Sequence, residues 1–451
     1  MRNATLLLAA LYCMVFSRCT ATSSPRNVNH LSRWANEQGV VMHDSLQWKQ
    51  QIDGASEGDD NIGLELKELV EPGTVLLKVP RSIIFDARCI RKELEDENPE
   101  MVQKALEKLG QSGLNQHTDG FLIFVKVLRC CQEGESSLWD PYIRSLPRNF
   151  VEFSTTEKAC LPYYAKYVTD YQEEKFDAFC KAALESGLVD SIDSSSDNDD
   201  FHQAKWAFLS VSSRFWKTSS SAEGGKSAAI AKGTTATEEN GNDDSTTELV
   251  PVGDMFNHRE PPNVAITHEG DFVNFVYRGN TGSDPEMASK DLYITYGQPS
   301  NPHRFLGIFG FVPVDDMPDV WSHIVYPNNP FADDVEKMVF RTADGNVPKQ
   351  VWDAVLYALL EPRHPPGQPP AFTDTQHKKY RKYTVDVLQA HIDKQLEELR
   401  KLRERIKTVE AAIGTTSSNT KNMPLVRQHN EFLTDVFVKA QQMTMEALNN
   451  N

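Results

Sequence analysis

The chain has 451 residues, 39% of them hydrophobic and 25% charged, which is material for two or three domains and an ample core. Its formal net charge of −17 argues against nucleic-acid binding, which needs a basic face, and does not by itself specify a basic substrate. Of seven cysteines, Cys13 and Cys19 lie near the N-terminus. The other five (Cys89, Cys130, Cys131, Cys160 and Cys180) have no Cys-x-x-Cys or zinc-ligand spacing, so neither a disulfide framework nor a structural metal is expected.

Residues 1–24 read as a signal or targeting segment. Arg2 precedes the apolar run Thr5–Phe16, and the small and hydroxyl residues Thr20–Ser24 follow. The run is short for a transmembrane helix, which needs about 20 apolar residues. Secretory-route entry, an uncleaved anchor and the first half of a plastid address in an alga all stay open, with the cytoplasm as the default. Apart from such an anchor, no membrane segment is expected.

The folded part opens at residues 30–86. Trp34–Gly39 reads as a short helix ended by Gly. Asn61-Ile-Gly-Leu64 and the turn Glu71-Pro-Gly73 precede a strand at Thr74–Pro80. Residues 87–204 read as a helical insertion, with Phe121, Ile123, Phe124, Val127 and Leu128 on one face and a turn at Trp139-Asp-Pro-Tyr-Ile143. A helix is expected from about Phe201 to Trp216. Two acidic segments, Asp190–Asp200 and Glu238–Glu248, read as solvated loops, and the Ser/Thr/Gly-rich residues 217–248 as disordered.

Strands return over 250–315. Val264–His268 and Phe272–Tyr277 form a hairpin around a Gly turn, and Leu292, Ile294 and Tyr296 alternate as in a half-buried strand. From 325 to 448 the chain reads as helical. A helix near Val351–Leu360 is followed by the Pro-rich run Pro362–Pro370. Val385, Leu388, Ile392, Leu396, Leu399, Leu402, Ile406, Val409 and Ile413 then mark one long amphipathic helix, and Leu425–Leu448 a second, as an antiparallel hairpin.

The most informative stretch is Val250–His258, an apolar run ending in Asn257-His258, followed by Asp291–Asn301 with Tyr296-Gly297, and then by Phe309-Gly-Phe311. Together with Trp34–Gly39, Asn61–Leu64, Val79-Pro80, Trp139–Ile143, Leu146-Pro147, Arg214, Asp254 and Ser300-Asn301, this order resembles the Rubisco large-subunit methyltransferase family of SET-domain proteins, including its actin-histidine-methylating branch. Each motif is weak alone; the set is specific and spans nearly the whole chain beyond the leader.

The resemblance implies an α+β fold. A β-rich SET core with a pseudoknot (30–86 and 205–315) is split by the helical insertion and followed by an all-α substrate-binding domain (325–448). It implies S-adenosyl-L-methionine as methyl donor, a protein substrate docked on the C-terminal helices, and a monomer. It assigns Tyr296 as catalytic; Asp60, Asn61, Ile62, Arg214, Asn257, His258 and Phe311 to the cofactor; and Trp216 to the substrate. Relatives often carry Glu-Gly where this chain has Asp60-Asn61, and Asn tolerates positive φ well. Lysine-methylating relatives carry an aromatic residue at the place of Trp216 and the histidine-methylating branch a polar one, which favours lysine here.

Methyl transfer moves positive charge from sulfur to nitrogen, so little new charge needs stabilising. Alignment, desolvation and a narrow channel then carry the catalysis. A lysine beside the sulfonium loses its proton more easily once desolvated. On local sequence alone Tyr296 also reads as a buried strand-end tyrosine, Asn257 as an Asx turn and Arg214 as a helix-end arginine. The function expected is a protein-lysine N-methyltransferase acting on a non-histone protein. A protein-histidine N-methyltransferase and a catalytically silent SET-fold binding module are the alternatives.

Overall fold

The computed structural model describes residues 26–49, 62–192, 202–218, 229–232, 246–259, 261–279, 290–296, 302–312, 349–360, 372–413 and 418–449. The leader, Asp60, Asn61, Gly297–Asn301 and the Pro-rich run lie outside the described residues. The chain divides into two compact units, 1–150 with 174–297, and 151–173 with 298–451.

The first unit carries the strands. A four-stranded antiparallel sheet runs in the order β1 (Val41–Met42), β4 (Val75–Pro80), β11 (Phe272–Tyr277), β10 (Val264–Glu269). Leu76, Leu77 and Val79 of β4 are fully buried, as are Val273 and Phe275 of β11. The expected hairpin is present in register, with Ile266 opposite Phe275 and Glu269 opposite Phe272. Its two-residue turn begins at Gly270, whose φ of +56° is open to glycine without steric cost. Two short pairs flank this sheet. β2 (Leu46–Lys49) is antiparallel to β3 (Gly63–Leu66), and β9 (Asn257–His258) is parallel to β12 (Tyr293–Ile294).

A second sheet, ordered β5 (Phe85–Asp86), β8 (Thr246–Leu249), β6 (Trp216–Thr218), β7 (Ala229–Lys232), differs from the sequence reading. The helix expected to reach Trp216 ends at Ser212, and Trp216 opens a strand opposite Glu248. Within the segment read as disordered, 217–218, 229–232 and 246–248 are strand. Thr246–Leu249 holds one large apolar residue, yet all four residues are buried. The Glu248 carboxylate, fully buried, is neutralised by Arg81 at 3.3 Å and bonded to His268 at 2.9 Å. Pairing on both edges and these two partners supply what composition alone does not.

Helices cover the rest of this unit. Thr118–Glu133 is apolar nearly all round and packs against Gln203–Ser212. Phe121, Phe124, Phe179 and Phe208 interlock there at centroid distances of 5.4–6.4 Å. The motif expected as a turn at Trp139 is a short helix, Asp140–Ser145, with Pro141 in its first turn, where a missing N–H costs nothing.

The second unit is helical. Lys349–Leu360 and Asp374–Ile413 are joined in packing by Leu356, Tyr357, Leu360 and Phe372. The helix 374–413 has 40 residues, roughly 60 Å. Met423–Asn449 returns along it: Arg427 pairs with Glu410, Gln441 bonds Asp393 at 2.6 Å, and Thr444 bonds Gln389 at 2.6 Å. That order is antiparallel, as the spacing predicts. Val385, Leu388, Ile392, Leu399 and Ile406 are buried in the seam. Ser154 and Glu157 form a capping box, and the fully buried Glu157 also accepts the backbone N–H of Asn422.

Buried histidines bind the fold to pH. His117 is pushed down to about 3 by burial and by Lys175 and Lys217. His391 goes to about 4 through burial and Lys394, and His429, beside His303 at 3.2 Å, to about 4 through burial. Unfolded histidines take up a proton near 6.5. Between that value and about 4 the unfolded chain therefore holds more protons, so stability is complete above 6.5 and falls as pH falls. Each histidine contributes up to about 1.4 kcal/mol per pH unit. Urea midpoints taken at about pH 7 and about pH 5 should drop, and His429→Gln should shrink the drop.

Candidate functional site

The site is built on the segment Val250–His258 of the first unit. Val252 has φ +70°, the single positive value at a non-glycine residue among the described residues. A β-branched side chain there costs on the order of 1–3 kcal/mol. Packing holds it, since Val250 and Val252 are fully buried, and Asp254 N–H donates to Val250 O at 3.0 Å. A Cβ on Gly253 would stand 2.2 Å from Phe275 Cζ, so the Phe275 ring presses directly on the turn. Phe275 stacks on Phe256 at 5.0 Å and meets the edge of Trp216 at 6.3 Å.

This turn delivers Asp254 to the core. Its carboxylate is fully buried, and Oδ2 accepts from Tyr142 Oη at 2.9 Å and from Arg214 Nη1 at 2.8 Å. Arg214 Nη1 also reaches the Asp254 main-chain oxygen at 3.1 Å. Burial, the Asp254 charge and its hydrogen bond hold the Tyr142 phenol well above its usual range, so it remains a donor. Burial opposes the Arg214 charge, but Asp254, Tyr142 and Tyr296 outweigh it and raise the guanidinium. Arg214 Nε is buried and meets no acceptor among the described residues.

Tyr296 is pinned from both ends. Its N–H donates to His258 Nδ1 at 3.0 Å, its hydroxyl donates to Phe256 O at 2.9 Å, and its ring lies 5.2 Å from the His258 ring. His258 therefore carries its neutral-form proton on Nε2. Burial lifts the Tyr296 phenol to about 12, with Arg214 pulling it down and Asp254 pushing it up. At neutral pH it is a protonated phenol.

The parallel pair β9–β12 fixes this register, with Asn257 opposite Tyr293 and His258 opposite Ile294. Asn263, which the sequence reading did not single out, clamps the second strand. Its Nδ2 donates to Asp291 O at 2.9 Å, and its Oδ1 accepts from Tyr293 N at 2.8 Å. Lys49 holds Asp291 at 2.7 Å, and the Arg259 guanidinium lies 5.5 Å from the Tyr293 ring centre.

The structure thus gathers Arg214, Asn257, His258 and Tyr296 around one turn and one strand pair. Ile62 is buried at the entry to β3, whose Glu65 bridges to Asp291. Trp216, expected to face substrate, is 1% exposed and packs on Phe275, so its position is in the core. Phe311 belongs to the second unit, where it closes a ring cluster with Phe305 at 5.3 Å and Phe309 at 6.2 Å after the π-turn Phe305–Phe309. In the sequence reading Asp254 has no role within its motif, and Tyr142 belongs only to the motif Trp139–Ile143. The signal for both was a carboxylate inside an apolar run, which needs partners when buried. Among the described residues no group of three or more His, Cys, Asp or Glu is arranged for a metal ion, and no helix is long and apolar enough to cross a membrane.

Gly253→Ala should cost about 1–3 kcal/mol, because the Phe275 ring is held on both sides and cannot yield. Denaturant midpoints check this. Adding Phe275→Leu should recover part of the loss if that contact is its cause.

Neither a protein-family model nor a curated protein matches the chain. Solved structures do match its fold. A structure of Rubisco LSMT bound to AdoMet aligns with TM-score 0.52 at 13% identity, over 94% of this chain and 92% of that one. The SET domain of LSMT bound to MeLysine and AdoHcy gives 0.51 at 14% identity, over 93% of each chain. The form bound to Lysine and AdoHcy gives 0.50 at 13%, over 93% and 91%. The chain has the α+β SET-domain fold of the Rubisco LSMT structures, with a helical C-terminal region.

Proposed function

We propose that this chain is an S-adenosyl-L-methionine-dependent protein-lysine N-methyltransferase acting on a non-histone protein. The observation that carries the reading is Tyr296: a phenol kept protonated, fixed at its N–H and its hydroxyl, beside the Asn257-His258 turn and a half-buried arginine. Structures that share this fold hold AdoMet, or lysine with AdoHcy. The residues present suit such a donor. Arg214 Nε is a buried N–H without an acceptor, on a cation, and a ligand carboxylate would satisfy it.

When bound, the donor supplies a sulfonium methyl carbon, the electrophile of the reaction. Asn257, His258, Ile62 and, outside the described residues, Asp60 and Asn61 would hold it. Tyr296 donates its proton to Phe256 O, so toward an incoming amine N–H its oxygen would act as an acceptor. That contact orients the amine lone pair; it does not remove a proton, because a phenol titrating near 12 is a poor base once its proton is committed. His258 fixes the Tyr296 backbone, and β9–β12 fixes His258. Catalysis on this account is alignment in a dry site. The methyl-accepting protein docks on the C-terminal helices.

Two measurements test this. Incubating the full chain with labelled donor and a proteome from its own source should place the label on lysine. Label on an imidazole would move the assignment to histidine, and no label from a folded, donor-binding protein would end the catalytic reading. Tyr296→Phe should lower kcat roughly 10²-fold and leave donor affinity within about threefold; unchanged kcat would remove Tyr296 from the reaction.

A further inference from the structure

The Asp254 carboxylate stands between two donors of different kinds. Tyr142 and Arg214 both address the same oxygen, Oδ2, at 2.9 and 2.8 Å. Tyr142 is fully buried, far along the chain from the Asn257-His258 turn, and its ring packs with Trp34 and with Phe85, each at 6.1 Å between centroids. The strained turn at Val252 and the contact of Phe275 on Gly253 fix the Asp254 backbone from the other side. Arg214 reaches Asp254 through Nη1, while its buried Nε meets no acceptor among the described residues.

We infer that Tyr142 is a positioning residue that sets how strongly Arg214 can hold an anionic ligand group, by taking part of the Asp254 charge. This rests on the functional reading above and deepens it, naming a residue that acts through two others on the carboxylate end of the donor. The physics is a competition for one counterion. A carboxylate oxygen that accepts a phenol proton has less charge to offer a guanidinium. The guanidinium then keeps more of its field for a second anion. Without the phenol, Asp254 gives more of its charge to Arg214, and the second anion is held less well. Removing the Asp254 charge acts in the opposite sense.

The test compares two probes that differ by one carboxylate, S-adenosyl-L-methionine and its decarboxylated form, by calorimetric titration of the full chain. Tyr142→Phe should weaken the carboxylate-bearing probe roughly tenfold and leave the decarboxylated one within about twofold. Asp254→Asn should shift the ratio the other way and carries the test if Tyr142→Phe does not fold, which circular dichroism decides. A purely structural role for Tyr142 would weaken both probes together. Equal losses, or no loss of either, with a wild-type chain that binds both would overturn this inference and leave the functional reading intact. A folded wild-type chain that binds neither probe would overturn both.

Discussion

A buried negative charge governs the first unit. Asp254 has no exposed side-chain surface, and an isolated carboxylate in such surroundings is strongly unfavourable. The donors on its Oδ2 come from distant parts of the chain, Tyr142 at the end of the helical insertion's first half and Arg214 just after the helix 203–212. Pairing that one oxygen thus ties the insertion to the strand region. Val252, two residues before Asp254, holds a backbone angle that β-branched residues avoid, and close packing keeps it there.

The same network decides what Tyr296 can be. Low exposure and the nearby Asp254 charge favour the neutral phenol, and Arg214 only partly offsets them. A phenol so held does not titrate near neutrality. On the reading proposed above, in which charge is relocated and not created, geometry contributes more than acid–base strength. His258 completes the arrangement by accepting the Tyr296 N–H, which requires an unprotonated Nδ1.

Much of the fold was legible from pattern. The C-terminal helices follow from apolar residues at steps of three and four, and the hairpin 264–277 from alternation broken by Glu-Gly-Asp. The strand Thr246–Leu249 was not legible, because its burial comes from β5 and β6 on either side and from Arg81 and His268 around Glu248. Trp216 shows the same limit. Aromatic character two residues after Arg214 is visible in the sequence, but whether the ring meets solvent, substrate or Phe275 depends on the sheet it joins.

The sequence by itself determined the order of elements, the Asn257-His258 and Tyr296 motifs, and the likeness that places them in a SET-type fold, since local periodicity and residue chemistry are written along the chain. Only the tertiary structure decided that Asp254 is shared between Tyr142 and Arg214, that Asn263 clamps the Tyr293 strand, and that Trp216 is core. Those facts depend on which distant groups meet in a dry interior. A linear pattern carries the need for a buried charge to find partners, and the packed fold selects which ones it finds.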